Sequence, residues 1–184
     1  GGTWTQARVP TRVMLTAVVA ENDKRVWAVG HDATIIHSSD GGQAWQLQFA
    51  EPEEESPLLD VWFDDEKHGF AVGAYGLALE TRDGGQKWER RTIDEEEPHL
   101  NAIRETPGGV LFIAAEEGLV FRSRDRGATW QKIETGYGGS LFGVLALREG
   151  PVLVFGLRGH VYRSDDSGDT WQGVETGSTA ALLG

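Results

Sequence analysis

One octapeptide pattern, Ser/Thr-x-Asp-x-Gly-x-x-Trp, recurs four times along this chain of 184 residues. The copies run over residues 38–45, 81–88, 123–130 and 164–171, so that their tryptophans lie 41 to 43 residues apart. The segment 1–4 matches the tail of a fifth copy. A repeat of this length constrains the fold more than any local pattern, because each copy must be one structural unit that packs on the next.

Each period also contains four short segments rich in Val, Leu, Phe and Trp. In the second period these segments are 58–63, 69–73, 77–81 and 87–91, and turns bearing Gly or Asp separate them. Such segments, without helical periodicity, predict short β-strands. Four strands in about 42 residues are typical of a β-propeller blade. We therefore predict an all-β fold of four-stranded antiparallel blades, with strands a to d counted from the innermost.

The repeat also predicts how the chain is divided. Four blades are expected at 11–49, 50–92, 93–134 and 135–175, with residues 1–10 as the outer strand of a preceding blade and 176–184 as the start of the next. We expect one partial β-propeller with about four blades. A closed four-bladed ring, and two chains that pair into an eight-bladed ring, are the alternatives.

The repeated motif predicts a structural turn between strands c and d. The Asp carboxylate can accept backbone N–H bonds from the residues after it, Gly supplies a backbone angle that other residues resist, and Trp packs beneath the turn. The predicted structural residues are Ser38, Asp40, Gly42, Trp45, Thr81, Asp83, Gly85, Trp88, Ser123, Asp125, Gly127, Trp130, Ser164, Asp166, Gly168 and Trp171. Asp-x-Gly also resembles the start of a calcium loop, but the distal Glu of an EF-hand is missing, and we predict no metal site.

Composition excludes several classes of function. The net charge of −12, from 29 acidic and 17 basic residues, disfavours nucleic-acid binding because phosphates would be repelled. No apolar run approaches the roughly 20 residues of a membrane span. With no cysteine and five scattered histidines, the chain has no disulfide, no thiolate chemistry and no pair at metal-ligand spacing. We expect no cofactor.

Most residues that are candidates for partner binding lie on one face of the predicted blades. Successive turns of an antiparallel meander alternate ends, so the b–c turns and the d–a loops share a face opposite the Asp motifs. The residues predicted for a partner-binding surface there are Asp32, Glu53, Glu54, Glu55, Tyr75, Glu95, Glu96, Glu97, Glu116, Glu117 and Arg158. Their negative charge would attract a basic protein segment. The simpler interpretation is that acidic loops keep the chain soluble.

The repeated motif is similar to the Asp box of bacterial neuraminidase (BNR) repeats. The longer block Ala71–Trp88 resembles the photosystem II stability/assembly factor family of plants and cyanobacteria, which has bacterial relatives. This resemblance implies a seven-bladed ring that binds partner proteins and has no recognised catalytic centre. The family's basic surface is only partly matched, because the residues before the four boxes are His37, Glu80, Arg122 and Arg163. The resemblance therefore favours a bacterial relative with another client.

An enzymatic function is the alternative. A sialidase needs clustered arginines and a Tyr nucleophile with an acidic partner, and this chain has three tyrosines and scattered arginines. A glycosidase with two carboxylates could recruit Asp32 with Glu116 or Glu117. We predict a non-enzymatic scaffold for a protein partner, such as a membrane or secreted complex or a basic segment, in the periplasm or outside the cell. The alternative is a carbohydrate-active propeller: sialidase-like, another glycoside hydrolase, or glycan-binding.

Overall fold

The computed structural model describes residues 3, 5–148 and 150–183, and its regular structure is almost entirely β. In this described part of the chain, sixteen strands form four antiparallel sheets of four strands each, in meander order. This confirms the all-β prediction and agrees with a partial propeller. Among the described residues a single-turn 3-10 segment, Pro52–Glu54, lies between the first two sheets, and the short turns Glu116–Gly118 and Leu157–Gly159 contain left-handed residues.

The chain divides into two compact units, and the first comprises Gly1–Gly73 and Ala78–Arg91. It holds the first two sheets. The first sheet consists of β1 (Leu15–Ala20), β2 (Val26–Gly30), β3 (Ile35–Ser38) and β4 (Gln46–Phe49). The second consists of β5 (Leu58–Phe63), β6 (Gly69–Gly73), β7 (Ala78–Thr81) and β8 (Glu89–Arg90).

The second unit comprises Ala74–Leu77 and Thr92–Gly184 and holds the other two sheets. The third sheet consists of β9 (Leu100–Glu105), β10 (Leu111–Ala115), β11 (Leu119–Ser123) and β12 (Gln131–Glu134). The fourth consists of β13 (Leu141–Ala146), β14 (Val152–Gly156), β15 (Val161–Ser164) and β16 (Gln172–Val174).

Glycine ends the second strand of three sheets because the backbone of the first strand passes close by. A Cβ atom at Gly73 would overlap the carbonyl oxygen of Pro57, and Gly30 and Gly156 meet the preceding strand in the same way. A register shift near the start of the first strand occurs in all four sheets, including the third, where Ala115 ends the second strand. The glycine of the Ala-Val-Gly block is thus explained by the close approach of the preceding backbone.

Within each unit, the core is formed where one sheet packs on the next. In the first unit the fully buried Trp27 stacks on Phe63 with 3.7 Å between ring centroids, and its indole N–H donates to Gln48 Oε1 over 3.1 Å. In the second unit, one side of the third sheet meets the opposite side of the fourth. We call these the trailing face of the third sheet (Ala102, Phe112, Ala114, Val120, Ile133) and the leading face of the fourth (Leu141, Val144, Val154, Tyr162, Trp171).

Residues 5–9 and 176–183 lie outside the sixteen strands. The predicted outer strand of a preceding blade at 1–10 and the predicted start of the next blade at 176–184 stay predictions. Gly1, Gly2, Trp4 and Gly184 lie outside the described residues. Among the described residues, no helix is long and apolar enough to cross a membrane.

Replacement of Phe112 tests the packing between the third and fourth sheets. Phe112 is fully buried and meets Trp171 edge to face, with 6.2 Å between ring centroids. Phe112→Ala should lower the free energy of unfolding by about 3–5 kcal/mol, because it leaves a cavity. Leu147→Ala, at an exposed leucine, should change it by less than about 0.5 kcal/mol. Urea unfolding measures both, and similar small losses would contradict the assigned interface.

Candidate functional site

The four Asp-box turns share one hydrogen-bond arrangement. In each, a buried Ser or Thr hydroxyl donates to the Asp carboxylate and accepts the N–H of the glycine two residues after that Asp. The hydroxyl–carboxylate distances are 2.8, 3.0, 2.7 and 2.8 Å for Ser38, Thr81, Ser123 and Ser164. These glycines have φ between 84° and 89°, which is the left-handed region. The Ser or Thr, the Asp and the Gly of each motif are therefore engaged with their own turn.

The carboxylates of these turns have lowered pKa values. In the third and fourth copies a Thr hydroxyl donates to the second carboxylate oxygen over 2.6 Å, in addition to the bonds from backbone and Ser. The Thr129 hydroxyl is the largest cause that lowers the pKa of Asp125 to about 2. The Thr170 hydroxyl also lowers the pKa of Asp166. In Asp40 and Asp83 the backbone N–H four residues later is the main cause of the lowered pKa.

At the other ends of the strands, the b–c turns bond to the d–a loops. In the first unit Glu51 N–H donates to the Asp32 carbonyl over 2.9 Å. In the second unit Gly76 N–H donates to the Pro98 carbonyl over 3.0 Å, and Gly118 N–H donates to the Gly139 carbonyl over 2.7 Å. Each unit thus holds its acidic loop segments beside its b–c turns, and we call the surface formed in the second unit the loop surface.

One position in every b–c turn has a left-handed backbone. The residues there are Asp32, Tyr75, Glu117 and Arg158, with φ between 54° and 57°. The residue that follows each of them also has a positive φ, as in a type I′ turn. A left-handed backbone at a residue with a side chain costs about 1–2 kcal/mol. Because all four turns have such a residue, its side chain is a candidate for a functional role. Sequence reasoning selected all four residues but not their shared conformation.

The acidic inserts are partly neutralised by basic residues that sequence reasoning missed. In the first unit Arg90 pairs with both Glu51 and Glu54. In the second unit Lys132 pairs with Glu96 and, over 3.4 Å, with Asp94. The sequence contains a signal for these ion pairs, since Arg90 and Lys132 each lie two residues after the Trp of an Asp box. Within the described part of the chain, no ion pair involves Glu53, Glu55, Glu95 or Glu97.

A polar cleft of about 340 Å³ opens in the second unit. Its principal side chains are Glu96, Glu117, Leu119, Lys132, Glu134 and Tyr137. Three carboxylates face one ammonium group, so the cleft carries a net negative charge. The Tyr137 hydroxyl donates to the Leu157 carbonyl over 3.0 Å, which holds its ring in place. A negative cleft suits a Lys or Arg side chain by charge.

Two residues of the enzymatic alternative, Glu116 and Tyr75, have contacts of another kind. Glu116 Oε1 accepts the N–H of His99 over 2.8 Å, so that this carboxylate anchors the loop. The ring of His99 meets Tyr75 edge to face, with 4.7 Å between centroids. Among the described residues, no three His, Asp or Glu side chains come together in a way that could hold a metal ion.

Comparisons with known proteins agree with this geometry. Residues 48–182 match the family model of the photosynthesis system II assembly factor YCF48. A solved structure of YCF48 bound to D1 peptide superposes with a TM-score of 0.74 at 22% identity, over 91% of this chain and 56% of that one. YCF48 from Cyanidioschyzon merolae gives 0.54 at 28% identity, over 65% and 37%. The chain thus spans little more than half of the first of these structures. No curated protein matches it.

A carbohydrate-active enzyme also shares the architecture. An ancestral GH74 enzyme superposes with a TM-score of 0.72 at 15% identity, over 90% of this chain and 26% of the enzyme. An identity this low shows a shared fold and nothing about chemistry.

The depressed pKa of Asp125 predicts how its contribution depends on pH. A carboxylate with a folded pKa of about 2 and an ordinary value of 3.8 stabilises the fold above the ordinary value, and the effect is lost as the pH falls through the folded value. Asp125→Asn should therefore unfold at lower urea concentration near neutral pH, and the gap to the parent should close toward about pH 2. Asp23→Asn, in an a–b turn, serves as the control. A gap of constant size across this range would contradict the assignment.

Proposed function

Because the chain belongs to the photosynthesis system II assembly factor YCF48 family, we propose that it is a non-enzymatic scaffold that binds a segment of a partner protein on its loop surface. The observation that carries the proposal is the negative cleft lined by Glu117, Glu134 and Tyr137. We propose a Lys- or Arg-bearing segment as its ligand. That the partner is part of a membrane or secreted complex, outside the cytoplasm, extends the same proposal.

The rigidity of the loop surface supports a role in binding. Tyr75 and Glu117 extend from turns whose backbone is fixed by left-handed residues and by hydrogen bonds to the neighbouring loops. Turns held in this way lose little backbone freedom when a ligand arrives, so more of the contact energy appears as affinity. Four turns with the same backbone and different side chains are suited to recognition, since the geometry is constant while the chemistry varies.

The charge of the surface supports a basic ligand. Lys132 neutralises part of the insert at Asp94 and Glu96, but Glu117 and Glu134 leave an excess of carboxylates along the cleft. Complementary charge raises the association rate and selects partners. The solved YCF48 with its D1 peptide supports a peptide as the kind of ligand, since it shows that a protein of this fold can hold one.

Peptide binding tests the proposal. A fluorescent peptide rich in Lys and Arg should bind the full chain, as measured by anisotropy, and a Glu-rich peptide of equal length should not. Raising the salt concentration should weaken binding, because screening acts on exposed charges. Glu117→Lys should raise Kd about tenfold or more. The turn tolerates a basic residue, since Arg158 has the same position and φ in the fourth sheet.

Asp23→Lys is the matched control, because it makes the same change in charge in an a–b turn. If Asp23→Lys weakened binding as much as Glu117→Lys does, the effect would be one of net charge and the loop surface would not be the site. Binding of the basic peptide that ignores salt would contradict the electrostatic part of the proposal.

A panel of fluorogenic glycosides, with a glycan array, separates the scaffold from the carbohydrate-active alternative. The scaffold predicts hydrolysis no faster than in buffer and no selective glycan binding. Turnover that is lost in Glu116→Gln or Glu117→Gln would instead assign a glycosidase to this face.

A further inference from the structure

The b–c turn of the fourth sheet is attached to the residue that borders the negative cleft. Leu157 N–H donates to the Ser140 carbonyl over 3.0 Å, and the Leu157 carbonyl accepts the Tyr137 hydroxyl over 3.0 Å. The ring of His160, directly after this turn, lies 4.2 Å from the ring of Tyr137, measured between centroids. Because Tyr137 also lines the cleft beside Glu117, one side chain borders that cleft and contacts the next b–c turn.

Arg158 is the left-handed residue of this turn, at the repeat position of Glu117. Both side chains are exposed. Glu117 is exposed although the fourth sheet packs beside its own sheet, so exposure is a property of this position in the turn. Within the part of the chain that the structure describes, the Arg158 guanidinium forms no ion pair and donates no hydrogen bond. Its five N–H donors are therefore available to a ligand.

The charge of the loop surface changes between these two repeat positions. The negative cleft of the third sheet has three carboxylates and one ammonium group. The cleft at the same place in the fourth sheet, of about 450 Å³, is bordered by Arg158, His160 and Glu175, and among the described side chains no ion pair joins Arg158 to Glu175. A purely basic segment would suit the first cleft and be repelled by Arg158. A ligand that suits both positions carries a base and an acid.

The packing of the two sheets sets the distance between the two ligand groups. The third and fourth sheets pack face to face, and sheets packed in this way lie about 10 Å apart. Glu117 and Arg158 have the same repeat position and the same backbone conformation, so their turns are separated by about this distance. An extended peptide rises about 3.3 Å per residue, so about three residues span the gap.

We propose that Arg158 binds a carboxylate of the same partner segment whose Lys or Arg enters the negative cleft, and that the acid and the base are about three residues apart in that segment. This inference rests on the proposed function and adds an acidic requirement to it. A guanidinium can hold a carboxylate through two parallel N–H bonds, which fixes orientation as well as distance. The carboxylate thereby sets the register of the segment on the loop surface, while the cleft attracts its basic residue.

A double-mutant cycle between the full chain and a peptide tests the contact. The capped fluorescent peptide ESSKRKSSE places a Glu three positions from a basic residue on both sides, so that either chain direction brings a Glu to Arg158. Its partner peptide, QSSKRKSSQ, lacks both carboxylates. Anisotropy at low salt gives the Kd of each peptide for the parent and for Arg158→Gln. The ratio of the Kd of the Gln peptide to that of the Glu peptide should be about threefold or more higher in the parent than in Arg158→Gln.

Two controls separate this contact from a general effect of charge. Lys24→Gln removes the same charge from an exposed side chain in an a–b turn, and it should leave the ratio as in the parent. The peptide SSEKRKESS has the same composition with its Glu residues beside the bases, and its binding should not show the coupling to Arg158. Equal coupling for both arrangements would overturn the spacing.

The outcomes also separate this inference from the proposed function. If QSSKRKSSQ binds and Glu117→Lys weakens it, but the ratio is the same in the parent and in Arg158→Gln, the carboxylate site is wrong and the proposed function stands. A ratio that falls as much in Lys24→Gln as in Arg158→Gln also overturns the carboxylate site. If none of the peptides binds, the proposed function fails and this inference fails with it.

Discussion

The packing of a leading face on a trailing face is the interaction on which the rest of this structure depends. A single repeat of about 42 residues forms one sheet and cannot bury both sides of that sheet. Repeat proteins therefore gain stability from the interfaces between neighbouring repeats. Here each such interface within a unit combines apolar packing, such as Phe112 against Trp171, with one donor to an Asp-box carbonyl. The Asp box thus closes its own turn and also accepts a hydrogen bond from a side chain of the neighbouring sheet.

Once the sheets are fixed in this way, the two sets of loops acquire different roles. The Asp-box turns keep nearly constant hydrogen bonds and chemistry through all four copies. The b–c turns keep a constant backbone but vary the side chain at one left-handed position, from Tyr75 to Glu117 to Arg158. Constant geometry with variable chemistry suits a recognition surface, and the proposed preference for basic ligands rests on the negative cleft beside Tyr137.

The sequence was sufficient for the fold because the repeat reports long-range structure directly. A Trp that recurs at a fixed spacing predicts one sheet per repeat and the packing of each sheet on the next. The Asp-box residues could be placed in their turn from the chemistry of their own side chains. The candidate surface was predicted less fully. Arg90 and Lys132 reach acidic loops 36 to 39 residues away in the chain, and the shared left-handed conformation of the b–c turns depends on loops that bond to them. Such contacts join residues that are distant in the chain. The number of charges in a sequence segment does not show which glutamates form ion pairs and which do not.

Amide hydrogen exchange with and without a bound basic peptide tests most directly whether the loop surface of the second unit is where a partner binds. The account predicts slower exchange in the b–c turn at 116–118 and in the loop at 135–140 when peptide is bound, with no change in the Asp-box turn at 124–130, which lies at the other ends of the strands. Protection of the Asp-box turn with no change at 116–118 and 135–140 would contradict the account.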